Sequence, residues 1–268
     1  MALSVNDQDY QSGEGVTDLT SKTFSWQAGD MLIVLGNGRD SGDNIDAVSN
    51  TGANVGTWAA EAANLTESRT QGAFWRAVAT GAGSGEITGE YGPGSNMGTA
   101  QMVFLIIRDG DDVEAVGTGN DTTNVSIADV TTLSDDALVI AFHGHSSVGR
   151  TITLPTGFTP IYENQQVAVG GSIAKLSVGY LEAGAAGLVE ADFSLDGSTN
   201  WIQYTISISA AAVGSALVEV VDDDVQVSEA TTRPMAMTRV ATEAVQMVEF
   251  LLRLLGLVRT SGQVVAIS

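Results

Sequence analysis

Ile202-Gln203-Tyr204-Thr205-Ile206-Ser207-Ile208 alternates apolar and polar side chains along its whole length. Successive side chains of an extended chain point to opposite faces, so this pattern predicts a strand with one buried face. The same period continues upstream. Ala174, Leu176, Val178 and Tyr180 alternate with Lys175, Ser177 and Gly179, and Val189, Ala191, Phe193 and Leu195 alternate with Glu190, Asp192 and Ser194. Three runs are instead apolar at every position: Met31–Leu35, Met102–Ile107 and Ala137–Phe142. Bounded by turn residues, they predict central strands of a sandwich rather than edges. Gly-rich turns punctuate the strands, and no segment before residue 210 has the spacing of an amphipathic helix. The expected fold is all-β, a β-sandwich or jelly-roll-like body over residues 1–210.

Composition narrows the function. The chain has 268 residues, 11 Lys+Arg against 32 Asp+Glu, and a formal charge of -21. Binding phosphates requires clustered cations, so a nucleic-acid partner is not expected. With no cysteine there is no disulfide, zinc-thiolate or cysteine nucleophile. Two histidines, His143 and His145, leave little material for acid–base chemistry, and neither an enzymatic role nor a cofactor is expected. The start, Met1-Ala2-Leu3-Ser4-Val5 followed by Asn6 and Asp7, lacks the basic and apolar regions of a signal peptide. Phe250–Val258 is interrupted by Arg253 and falls well short of the ~20 residues of a membrane helix, so a soluble product without membrane insertion is expected.

The body reads as two diverged halves, about 1–115 and 116–210. Gly29-Asp30-Met31-Leu32-Ile33-Val34 resembles Asp135-Asp136-Ala137-Leu138-Val139-Ile140, and Trp75-Arg76-Ala77-Val78-Ala79 aligns with Gly179-Tyr180-Leu181-Glu182-Ala183. General likeness among sandwich strands is the competing explanation. Small residues at 211–217 form a linker, and 218–268 carry a repeat with a period of 20. Val225-Gln226-Val227-Ser228-Glu229 recurs as Val245-Gln246-Met247-Val248-Glu249 and, truncated, as Val265-Ala266-Ile267-Ser268. Arg233 aligns with Arg253, and Arg239 with Arg259. Such a unit must stack on copies of itself to bury its apolar side, and two copies and a fragment fall short within one chain. The expected partner is the chain itself, in a homo-oligomeric stalk, a trimer, burying Val225, Val227, Val245, Met247, Val265 and Ile267. Residues 242–258 also have helical spacing, with Val245, Val248, Leu252 and Leu255 on one side. The β-type sister copies and Pro234 favour strands, and on either reading Leu252 and Leu255 belong to the oligomerisation set.

Phe24-Ser25-Trp26-Gln27-Ala28-Gly29-Asp30-Met31-Leu32-Ile33-Val34, Phe74-Trp75-Arg76-Ala77-Val78-Ala79 and Trp201-Ile202-Gln203-Tyr204 resemble strands of β-sandwich domains in tailed-bacteriophage tail-fibre and capsid-surface proteins. The C-terminal repeat resembles the oligomeric stalk repeats of such fibres. The resemblance implies a non-enzymatic virion component made in the host cytoplasm and carried on the particle surface. It would decorate the capsid or form a fibre, with other virion proteins as partners. The alternative it implies is a host-receptor or carbohydrate-binding adhesin that takes a host surface glycan. Fibre proteins often end in a binding head, whereas here the globular part comes first.

Candidate chemistry is sparse. His143-Gly144-His145 closes a strand with both imidazoles on one face; an exposed strand end is the expectation, and an axial metal in a trimer the alternative. Asp109-Gly110-Asp111-Asp112 reads as an acidic turn, because it lacks the spaced ligands of a calcium loop. Gly144-His145-Ser146-Ser147-Val148 lacks the closing glycine of a nucleophile elbow, and Gly81–Gly85 lacks the helix and lysine of a phosphate loop. Trp58, Trp75, Trp201 and Tyr204 are expected in the core rather than as a sugar platform.

Overall fold

The computed structural model describes residues 3–39, 45–68, 70–92, 98–147, 149–169 and 172–210. The linker, the repeats of 218–268 and the expected oligomerisation residues Val225, Val227, Val245, Met247, Leu252, Leu255, Val265 and Ile267 lie outside these residues. Among the described residues every regular element is a strand. The first eleven are β1 (Ser4–Gly13), β2 (Asp18–Thr20), β3 (Phe24–Trp26), β4 (Met31–Arg39), β5 (Ile45–Asn50), β6 (Ala59–Ala60), β7 (Leu65–Glu67), β8 (Thr70–Val78), β9 (Gly83–Gly85), β10 (Ile87–Tyr91) and β11 (Thr99–Arg108). A turn at Asp109, whose φ is 58°, leads to β12 (Gly110–Ser126), β13 (Val130–Thr132), β14 (Leu138–His145), β15 (Ile152–Thr153), β16 (Thr159–Val169), β17 (Ser172–Glu182), β18 (Gly187–Val189) and β19 (Phe193–Ala210).

Two large antiparallel sheets organise the chain. One runs β1-β11-β4-β8-β6, with β7 also on β8, and the other runs β12-β19-β14-β17-β16, with β15 on β19. The order is the same in both: the first strand of each half pairs with its last, which pairs with the strand launched by an acidic turn. The smaller pairings correspond too, β3 with β9 in one half and β13 with β18 in the other. Met31 lies opposite Ile107 and Val78, and Leu138 lies opposite Ile208 and Glu182, so the ladders equate Met31 with Leu138. The sequence likeness pairs Met31 with Ala137, one residue away.

The large sheets pack face to face. Met31, Ile33, Leu35, Phe74, Val103, Leu105 and Ile107 of one meet Leu138, Ile140, Phe142, Leu176, Val178, Ile202, Tyr204, Ile206 and Ile208 of the other in a single core. β4 lies over β14, β11 over β17 and β8 over β19. Exchanging the halves reproduces these contacts, a pseudo-two-fold arrangement of the kind that makes symmetric dimer interfaces. Tyr204 joins the halves by hydrogen bonds as well as by packing: its hydroxyl donates to Gly72 O (2.7 Å) and accepts from Leu65 N (3.1 Å).

Each large sheet is covered on its outer side by its own half's short strands. Leu32, Val34, Met102, Phe104 and Ile106 pack under Phe24, Trp26, Ile45 and Ile87 in the first half. In the second, Val139, Ala141 and Trp201 pack with Val130, Ile152, Phe193 and Leu195. Burial on both faces explains the unbroken apolar runs of β4, β11 and β14. It also corrects the reading of Ile202–Ile208 and Ala174–Tyr180 as strands with one solvent face. Gln203, Thr205, Ser207 and Ser177 are fully buried and Lys175 is nearly so. Their alternation separates an apolar inner face from a polar but equally covered outer one.

Candidate functional site

The polar outer face of the second large sheet collects most of the chain's unusual chemistry. β14 places Leu138, Ile140 and Phe142 toward the central core, which sends His143 and His145 outward. Both histidines have 0% exposure, so they are a buried pair and not an exposed strand end. Their ring centroids are 5.7 Å apart, and the His143 ring lies 5.3 Å from Phe193 and 6.2 Å from Trp201.

Hydrogen bonds assign the protons. The Gln203 amide donates to Ala191 O (2.6 Å) and Thr205 Oγ1 (3.1 Å), which turns its carbonyl oxygen toward Ser126. The Ser126 hydroxyl donates to that oxygen and keeps a lone pair for His143 Nδ1, 2.9 Å away. His143 therefore carries its proton on Nδ1. His145 is the other tautomer, because its Nδ1 accepts the Ser147 N–H at 3.2 Å and leaves the proton on Nε2. Neither Nε2 has a hydrogen-bond partner. Burial lowers both imidazoles below the ordinary histidine range, with His145 pressing further on His143. His145 falls to about 4, through burial first and then repulsion from Lys175 and Arg150, opposed by Asp196. Both rings are neutral at pH 7.

Metal chelation by the pair would require a bare Nε2 on each ring. His145 meets that condition only by giving up its bond from Ser147. Among the described residues no group of three or more His, Asp or Glu is placed to hold a metal ion.

Beside His145 lies a cationic group that sequence reading passed over. Lys175 is directly opposite His145 in the β14–β17 ladder, and its ammonium donates to Arg150 O. Burial pushes the Lys175 ammonium down in pKa, with Asp196 pulling the other way. Arg150 Nη1 reaches the Asp196 carbonyl at 3.4 Å, and the Asp196 carboxylate accepts the Thr151 N–H at 3.1 Å. The signal available in sequence was Lys175 inside an otherwise apolar-alternating strand.

The remaining candidates lie elsewhere. Asp109 makes the turn between the halves, and Asp112 pairs with Arg76 at 2.8 Å. Gly144-His145-Ser146-Ser147 ends a strand, and Gly83–Gly85 forms β9, with no helix following either among the described residues. Trp201 and Tyr204 are buried, and Trp58 and Trp75 are half-buried against the first half's outer core. The indoles of Trp58, Trp75 and Trp201 donate to Asn50 Oδ1, Ile45 O and Thr123 Oγ1, so these aromatics serve packing. A groove of about 510 Å³ is lined by Pro155, Thr156, Leu181, Leu188, Val189, Glu190 and Asp192, carboxylates without a cation. No known protein family, curated protein or solved structure matches this chain.

Proposed function

We propose that this chain is a non-enzymatic structural protein of a tailed-phage particle, decorating the capsid or building a fibre by homo-oligomerisation. Its jelly-roll-like body is followed by a trimeric β-stalk at 218–268, with other virion proteins as partners and the particle surface as its location. The observation that carries this reading is the 20-residue register, in which Val225, Val245 and Val265 recur with their neighbours. A repeat with too few copies to stack within one chain draws the missing copies from identical chains. The charge of -21 supports the same role, since it keeps copies apart at high local density until specific contacts form.

Deleting residues 215–268 tests the proposal. The full chain should run as an oligomer in mass photometry and the truncated chain as a monomer. An oligomer of unchanged size after truncation removes the stalk.

A further inference from the structure

The cations of this chain are scarce, and three of those described hold a carboxylate. Lys22 pairs with Asp7 at 2.7 Å, Arg76 with Glu61 at 2.7 Å and Asp112 at 2.8 Å, and Arg108 with Asp30 at 2.9 Å. Lys175 and Arg150 differ: both donate only to backbone carbonyl oxygens, Arg150 O and Asp196 O. In a chain with 32 Asp+Glu, two adjacent cations that donate to carbonyl oxygens, with Asp196 as the carboxylate acting on Lys175 from outside ion-pair contact, are a selective arrangement. The third element is His145. Its Nε2 is buried and unpartnered, and the Ser147 bond to Nδ1 makes that atom an N–H donor. Facing residues of an antiparallel ladder share one side of the sheet with Cβ atoms about 5 Å apart, so His145 and Lys175 are neighbours on the outer face.

We propose that His145 Nε2–H, the Lys175 ammonium and the Arg150 guanidinium together bind a small monoanionic carboxylate at this end of the second half. Three donors converging on one face suit an anion, and charge-assisted bonds to a carboxylate are the strong ones available to Lys and Arg. The local charge sets the valence. Lys175 and Arg150 supply two positive charges and Asp196 one negative, which leaves a single positive charge for the ligand to neutralise. Asp196 also positions the site, because it accepts from both Thr151 N and Arg150 Nη1. The ligand is either a free organic acid or the carboxylate of an acidic sugar. This site lies in the body and does not depend on the proposed stalk.

Titration of the full chain with sodium acetate, sodium glucuronate and neutral glucose at fixed ionic strength tests the site. The readouts are the His145 side-chain 15N–1H resonances and the melting temperature. Acetate or glucuronate should shift the His145 resonances saturably and raise the melting temperature, while glucose does neither. Tighter binding of glucuronate than of acetate identifies an acidic sugar, and equal binding identifies a free acid. Arg150→Gln, at a half-buried position outside the strands, should weaken binding about tenfold or more, with Lys22→Met as a neutral control. Lys175→Met should act likewise if it folds. Absence of a saturable shift with both anions, or a shift that Arg150→Gln leaves unchanged, overturns the site.

Discussion

The outer faces of the two large sheets share a topology and differ in substance. In the first half the facing row across β11, β4 and β8 is Met102, Gly36 and Ala73; in the second, across β19, β14 and β17, it is Gln203, His143 and Ser177. Phe104 and Ile106 likewise correspond to Thr205 and Ser207. The first half fills the space with shape. Ile45 sits so close over Gly36 that an added Cβ would come within 2.3 Å of its Cδ1. The second half fills it with directed bonds, running from Ala191 through Gln203 and Ser126 to His143. An apolar layer is held by many small, undirected contacts, whereas a buried polar layer holds only while each member keeps its partner. One arrangement of strands thus tolerates either solution, provided the central face between the sheets is apolar.

The largest expected effect strikes what the halves share. Tyr204→Ala removes a buried ring from the central core together with the bonds to Gly72 and Leu65. It should lower unfolding stability by about 4 kcal/mol in urea denaturation, with both halves unfolding together. A loss below ~1 kcal/mol would mean that the sheets are not mutually dependent.

The next effect belongs to the second half alone. His145 titrates near 4 when folded and near ~6.5 when unfolded, so the unfolded chain binds more protons between those values. Stability is then fully present above ~6.5 and declines as the pH falls toward 4, by about 3 kcal/mol for this group. His143 adds a loss of the same sign. Urea midpoints between pH 7 and 5, where most carboxylates remain charged, should fall in the parent and fall less in His145→Gln. A parent midpoint independent of pH over that range would contradict the buried neutral pair.

Exchanging the two layers' chemistry one residue at a time should cost less. Gln203→Met leaves Ala191 O without its side-chain donor and the Ser126 hydroxyl proton without its acceptor, Ser126 keeping only its contact with His143, and Met102→Gln places an amide among Leu32, Ile45 and Phe104. Each should destabilise by about 1–3 kcal/mol in the same assay. Equal stability for either variant would show that the contrast between the layers is not energetic.

The legible part of the fold was its apolar part. Met31–Leu35, Met102–Ile107 and Ala137–Phe142 announce buried strands because water is excluded from both of their faces. Gln203, Thr205, Ser207, His143 and His145 misled because alternation equates a polar side chain with a wet one. Their burial rests on partners distant in sequence: Ser126 for His143 and Ala191 for Gln203. One available clue was that Ser177, His143 and Gln203 each sit at the same point in a period-two strand. The pairing of β1 with β11 was not legible, because Ser4–Gly13 is a polar edge whose partner lies about a hundred residues on. The Lys175–Arg150–His145 group was hidden for the same reason, since a ladder register and a loop bring it together.

The shared central face also bears on synthesis. Because β1 closes on β11, the first half can complete its own pairing as soon as residue 108 clears the ribosome. Its inner side, with Ile33, Leu35, Phe74, Val103 and Leu105, then stays wet until β19 is translated, on the order of ten seconds at ordinary elongation rates. During that interval a nascent chain offers a self-complementary greasy surface to its neighbours on the same messenger. Chaperone demand and inclusion-body losses should therefore concentrate on incomplete chains rather than on the finished protein.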